Sequence, residues 1–132
     1  MKKKTIAKVV EECAVALQKV VRMKAAIAED IDGYVTCVSC GVKKHWKELD
    51  AGHYFSRGDK SVKLMEENIH PQCFRCNVNL GGNGPEYNAY MLDMYGQEKI
   101  DELIALSRTT VKFTVNDLLE MEQYYKDRLA EI

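Results

Sequence analysis

From Ile6 to about residue 29, apolar residues recur every three to four positions, at Ile6, Val9, Val10, Cys13, Leu17, Val20, Val21 and Ile27, with no proline or glycine between them. That spacing gathers them on one face and predicts an amphipathic helix. Asp32-Gly33 punctuates the chain, and the β-favouring run Tyr34-Val35-Thr36 leads into Cys37. The pattern then becomes short-stranded and turn-rich. Cys37-Val38-Ser39-Cys40-Gly41 reads as a metal knuckle, residues 49–55 as one or two strands around Gly52, and residues 72–80 as a short helix stopped by Gly81-Gly82. Helical spacing returns over about 85–95, 97–107 and 115–130. Pro85 suits a first turn, Gly96 is a separator, and Thr114 with Asp117 forms the acidic variant of a capping box. The expected class is α+β in a single domain spanning 1–132: an N-terminal helix (1–33), a short-stranded core (34–84) and C-terminal helices (85–132).

Composition narrows the class without naming a chemistry. The 132 residues are 46% hydrophobic and 30% charged with two prolines, which suits a folded globular domain and excludes disordered or collagen-like chains. No apolar run reaches the roughly 18–20 residues that cross a bilayer, and Glu11 and Glu12 interrupt the N-terminal stretch where a signal peptide needs an unbroken one. The expectation is a cytoplasmic protein with no membrane partner. A formal net charge of -1 lacks the general basicity of many nucleic-acid binders, but its distribution is uneven. From Cys37 to Leu64 six bases (Lys43, Lys44, Lys47, Arg57, Lys60, Lys63) face three acids, while from Glu86 to the C-terminus ten acids face five bases. The basic stretch either steers a phosphate backbone or is simply a solvated loop.

Four of the five cysteines fall in two C-x-x-C pairs, Cys37/Cys40 and Cys73/Cys76, separated by 32 residues. Without a secretory signal this arrangement points to metal rather than disulfides, and four thiolates in two chelating pairs match a closed, tetrahedral structural zinc. A redox pair would open a helix after a strand in a βαβ context, which the pattern does not supply. Cys13, on the apolar face of the first helix, reads as a buried free thiol.

Inside the zinc frame stand Asp50-Ala51-Gly52-His53 and, later, Asn68-Ile69-His70-Pro71-Gln72-Cys73-Phe74-Arg75-Cys76-Asn77. Phosphodiester hydrolysis needs a base to activate water, a cation to offset developing charge, and a frame that fixes both. His53, Asn77 and the zinc site can supply these three in that order.

Residues 37–82 resemble an HNH (ββα-metal) nuclease module, in which a hairpin and a following helix grip one divalent ion. The resemblance implies that His53 is the general base, that Asn68 braces the histidine-bearing loop, and that Asn77 binds the metal; the offsets of 15 and 9 residues fit the motif. Asp50-Ala51-Gly52-His53 is also similar to the Asp-Arg-Gly-His of related non-specific nucleases. Many HNH enzymes carry a metal ligand directly before the base, where this chain has Gly52. Asn77 is therefore the expected main ligand for Mg²⁺ or Mn²⁺, with Asp50 in reserve.

Ala51-Gly52-His53-Tyr54-Phe55-Ser56-Arg57-Gly58, the run 68–77 and the later Tyr95-Gly96-Gln97-Glu98-Lys99-Ile100 resemble, more narrowly, the NinG/Rap recombination proteins of lambdoid phages. That likeness covers roughly Cys37 to the C-terminus, with a helix standing where the family carries a longer cysteine-containing extension. It implies a structure-selective endonuclease acting on branched DNA, Holliday junctions or D-loops, in the host-cell cytoplasm. A homodimer would match a two-fold junction, and the first helix offers a surface for one, although such helices more often cap a core.

His70 either contacts phosphate or the leaving group, or stabilises the hairpin by a hydrogen bond. His45, beside Trp46, reads as knuckle surface. Arg57 is either a bidentate phosphate clamp or an exposed loop residue. Lys43, Lys44, Lys60 and Lys63 are the remaining candidate DNA contacts. A non-catalytic zinc module that binds DNA or protein is the alternative from another class, and an RNA-directed nuclease is the third reading.

Overall fold

The computed structural model describes residues 5–55 and 60–131, without the side chains of Lys60 and Ser61. The apolar spacing of the N-terminal stretch produces helix α1 (Ile6–Glu29), which starts where the Thr5 hydroxyl accepts from the Lys8 amide and ends on Asp30 in the left-handed conformation. β1 (Tyr34–Thr36) and β2 (Lys43–His45) pair antiparallel and carry the first cysteine pair on the turn between them. β3 (Asp50–His53) pairs antiparallel with β4 (Ile69–Gln72), so that Gly52 faces His70 and His53 faces Ile69. Between them lie a short helix α2 (Lys60–Lys63) and a 3-10 turn over Glu66–Asn68. The chain then forms α3 (Gly84–Met94), α4 (Gln97–Ser107) and α5 (Val115–Glu131).

Three apolar clusters hold these elements. Val9, Val10, Cys13, Leu17 and Val20 of α1 pack with Leu118 and Tyr125 of α5 and with Leu64 and Ile69. The first helix therefore does cap a core. Its hairpin-facing side supports β3 and β4 through Ala51 and Ile69. A second cluster joins Ala26, Val35 and Leu49 to three of the paired cysteines. Tyr87, Met91, Ile100 and Leu103 form the third, beneath Tyr54 and Phe55. The α5 capping box is present as read: the Thr114 amide donates to Asp117 Oδ2, and the Asp117 amide donates to Thr114 Oγ1, both at 3.1 Å.

Two local features differ from the sequence reading. Residues 43–45, to which the sequence pattern assigns no element, form a strand. The helix expected over 72–80 is a single wide π turn, Arg75–Asn79, because Gln72 still belongs to β4. Its Leu80 amide reaches back to the Arg75 carbonyl at 2.8 Å, and Gly82 closes it on Cys76. Gly81 and Gly82, both at positive φ, end the turn where the sequence indicated. Among the described residues no helix is long and apolar enough to cross a membrane.

Candidate metal centre and hairpin site

The four paired cysteines converge, with all their sulfurs within 4.8 Å of one another and Cys40 Sγ 3.7 Å from Cys73 Sγ. A tetrahedral zinc with bonds of roughly 2.3 Å spaces its sulfurs by roughly 3.8 Å, so the donor set lies close to the spacing that ion takes. Cys37, Cys73 and Cys76 are buried and Cys40 is exposed. Gly41, at φ 80°, turns the knuckle, and its amide bonds the Cys37 carbonyl. The Val38 amide donates to Pro71 O at 3.0 Å and ties the knuckle to β4. Burial pushes the Cys76 thiol up to about 12, against the Asn83 amide, which donates to its sulfur at 3.5 Å. Burial also raises Cys37, but backbone N–H groups of Cys40, Cys73 and Ser39 outweigh it and bring that thiol to about 7. A cluster that crowds four sulfurs in this way is stable as thiolates only with a cation among them. Cys13, by contrast, is a buried thiol raised to about 11 by burial and by the nearby Glu122.

The hairpin presents two groups of polar residues at opposite ends of β3, whose terminal residues stand roughly 10 Å apart along the strand. At the first end Asn77 Nδ2 donates to Asp50 Oδ2 at 3.1 Å. This orients the amide of Asn77 and leaves its Oδ1 as a hard oxygen donor beside a carboxylate. Arg22 of α1, which the sequence reading missed, lies alongside. Its guanidinium donates to the Leu49 carbonyl at 3.4 Å, and it is lowered by burial and raised by Asp50. Nothing in a helical stretch of sequence signals that long-range approach.

At the other end His53 Nε2 lies 3.1 Å from the Lys63 carbonyl. A carbonyl only accepts, so Nε2 is the donor in this contact. Asn68, fully buried, closes the following loop: its Oδ1 accepts from the Phe55 amide at 2.9 Å, and its Nδ2 donates to the carbonyls of Phe55 and Val62. The Asn68 carbonyl also accepts from the Tyr54 amide.

Gly52 has a packing reason to be glycine. A Cβ there would stand 1.8 Å from Gln72 Oε1. The position before His53 therefore has no room for a side-chain ligand.

His70 is buried, away from solvent. Tyr87 donates its hydroxyl to the Gly52 carbonyl at 2.7 Å, so its oxygen accepts from His70 Nδ1 at 3.0 Å, and His70 Nε2 accepts from Tyr95 at 2.6 Å. Burial, with Lys24 adding to it, lowers His70 to about 4. Of its two sequence readings, this chain of bonds is the hairpin-stabilising one. His45, half-buried, accepts from the Lys47 amide through Nδ1. Lys43 and Lys44 are exposed on β2. Lys63 is largely covered and paired with Glu11 at 3.0 Å, so it does not stand among the exposed lysines. Arg57 and the Lys60 side chain lie outside the described residues. A cleft of about 640 Å³ opens between α1, β1, β4 and α3, with Val21, Ala25, Val35, Ile69 and Tyr95 in its walls. Its lining is mostly apolar, and Asp50, His53 and Asn77 are not part of it.

Over residues 1–132 the chain matches the family model described as Bacteriophage Lambda NinG protein. The match includes α1, so the likeness reaches beyond the Cys37-to-C-terminus stretch legible from the motifs. "Protein ninG" of Escherichia phage 933W is 30% identical over 108 residues, covering 81% of this chain and 53% of that protein. The proteins of the same name from Escherichia phage lambda and Salmonella phage P22 are 29% and 27% identical over 108 residues, each covering 81% of this chain and 52% of the relative. The chain thus spans about half the length of the curated relatives it matches. No solved structure matches it significantly.

Proposed function

This chain belongs to the NinG family of bacteriophage proteins, and from that premise we propose that it is an HNH-type endodeoxyribonuclease that hydrolyses phosphodiester bonds in branched recombination intermediates. The observation that supports the reading best is the frame around His53. A two-stranded hairpin carries the histidine at the end of its first strand, Asn68 sews the next loop shut, and the cysteine cluster clasps the turn that bears Asn77.

In this reading the cysteine cluster holds a structural zinc and the hairpin performs the chemistry. His53 Nδ1 takes a proton from water, the resulting hydroxide oxygen bonds to phosphorus, and the P–O bond to the leaving sugar oxygen breaks, that oxygen taking a proton from solvent water. Asn77 Oδ1, with Asp50 beside it, would hold Mg²⁺ or Mn²⁺, since hard oxygens suit those ions and water or phosphate completes the shell. Held at that end of β3, a divalent ion would supply charge neutralisation to DNA phosphate lying along the strand between it and His53. Asp50 orients Asn77, the Lys63 carbonyl fixes the His53 tautomer, and Asn68 keeps the loop from drifting. Lys43 and Lys44 attract the DNA backbone.

The test is incubation of a four-way junction, a linear duplex of the same sequence and a matched RNA with the zinc-loaded protein, with Mg²⁺ supplied or omitted. Cleavage of the junction that requires Mg²⁺ is the expected result. Binding without any cleavage under either condition would return the chain to the non-catalytic zinc module, and degradation of RNA in preference to DNA would change its substrate class.

A further inference from the structure

The zinc knuckle carries a surface that the hydrolytic site does not use. Tyr34 of β1 and His45 of β2 are direct cross-strand partners, with ring centroids 6.0 Å apart and planes at 83°. Trp46 continues the row, its ring 5.9 Å from that of His45. Tyr34 is 46% exposed, and His45 and Trp46 are half-buried. Two cations border the indole: Lys47 Nζ lies 5.7 Å and Arg22 Cζ 5.8 Å from its centroid.

The row is built into the fold. Gly33, at φ 82°, stands under His45, where a Cβ would come within 2.8 Å of Nε2. The β2 side of the row is basic, while Asp30 and Asp32 stand at the turn before Tyr34. From Tyr34 to Leu49 the chain carries Lys43, Lys44 and Lys47 against the single acid Glu48, and among the described residues none of these lysines is held in an ion pair.

We propose that this aromatic and basic face of the knuckle binds unpaired DNA bases, with Tyr34 and His45 as the stacking surface and Lys43 and Lys47 on the adjoining phosphates. Base stacking on aromatic rings beside a positively charged track is how single strands are held without reading sequence, because every base offers a π face. Paired bases in a linear duplex are already stacked on one another, whereas the displaced strand of a D-loop leaves its bases unpaired. The face would therefore favour branched over linear DNA by a means independent of hydrolysis. The inference rests on the reading of DNA as the substrate and names the feature of that DNA that is recognised.

Trp46 is the only tryptophan in the chain, so its emission reports on this face without a label. The experiment titrates short oligothymidylate into the His53→Ala variant without Mg²⁺, following Trp46 emission and, in parallel, the anisotropy of an end-labelled strand. Expected are a saturable change in Trp46 emission that tracks the anisotropy and a weaker response to blunt duplex. Tyr34→Ala should weaken single-strand binding roughly tenfold, while Tyr34→Phe, which keeps the ring, retains it. Lys43→Gln should flatten the salt dependence by about one counterion. Zinc content and circular dichroism confirm that each variant is folded. Binding without any change in Trp46 emission, equal affinity in Tyr34→Ala, or no affinity for single strands would each overturn the proposal. Failure here, with Mg²⁺-dependent junction cleavage intact in the wild type, would leave the nuclease reading standing. Stacking without cleavage would do the reverse.

Discussion

Asn77 donates its side-chain amide to the Asp50 carboxylate across 3.1 Å, joining the turn after the second cysteine pair to the start of the hairpin's first strand. The bond engages the amide nitrogen of Asn77 and leaves Oδ1, the atom the proposed cation would use. It also makes the two residues a unit, so that loss of either misplaces the other.

The first prediction concerns that unit. Asn77→Ala should raise the Mg²⁺ concentration needed for half-maximal cleavage by at least about tenfold or remove activity, because one oxygen ligand and its orientation are lost together. Asp50→Asn, which keeps the size but removes the charge, should shift the same Mg²⁺ titration in the same direction by a smaller factor. Equal Mg²⁺ requirements in wild type and both variants would show that the ion is held elsewhere.

The cysteine cluster predicts a linked loss of metal and stability. Cys76 is buried in the cluster that includes Val35 and Leu49, and its site joins the knuckle to the hairpin. Cys76→Ser should abolish stoichiometric zinc and lower stability by several kcal/mol, on the order of 3–5, because metal binding here is also folding energy. Zinc by elemental analysis and thermal unfolding by circular dichroism check it. Full zinc content with an unchanged melting temperature would remove the structural role.

His70 gives a pH dependence with a defined sign. Burial lowers its folded-state value from the ordinary 6.5 to about 4, so the unfolded chain binds a proton that the folded chain refuses between those limits. Its contribution to stability is complete above about pH 6.5 and is lost as pH falls towards 4, by on the order of 3 kcal/mol. His70→Gln, which keeps a hydrogen-bonding side chain without the titration, should be less stable at pH 7 and lose less stability on acidification. Denaturant unfolding at several pH values measures both slopes, and parallel slopes would reject the assignment.

Much of the architecture was legible because local chemistry and tertiary context agree. The spacing from Ile6 onward gave α1, and Thr114 with Asp117 gave the start of α5, since those bonds close within one turn. The two C-x-x-C pairs announced a single four-cysteine cluster because chelate spacing is also local. What stayed hidden depends on distant partners. Lys43-Lys44-His45 is polar throughout and becomes a strand only by pairing with β1. Arg22 comes to Asp50, and Asn83 to Cys76, through the fold, so neither had a signal in its own neighbourhood. His70 had two readings in sequence, and the tyrosines that decide between them come from α3 and the residue after it.

The last prediction separates a reacting group from its support. His53 and Asn68 both belong to the hairpin, but they differ in what surrounds them. His53 is half-buried with Nε2 on a carbonyl, while Asn68 is fully buried and makes three side-chain hydrogen bonds that close the loop. His53→Ala should therefore abolish junction cleavage while leaving zinc content and DNA affinity near wild type, with only a modest loss of stability. Asn68→Ala leaves buried backbone groups of Phe55 and Val62 without partners and should cost about 2–4 kcal/mol of stability. Its cleavage rate should fall by an intermediate factor, roughly 10²-fold, because the loop that follows His53 loosens while the imidazole remains. Single-turnover cleavage beside denaturant unfolding distinguishes the two profiles. If His53→Ala cleaves branched DNA at the wild-type rate in rigorously purified protein, the imidazole is not the base, and the zinc-module reading replaces the nuclease.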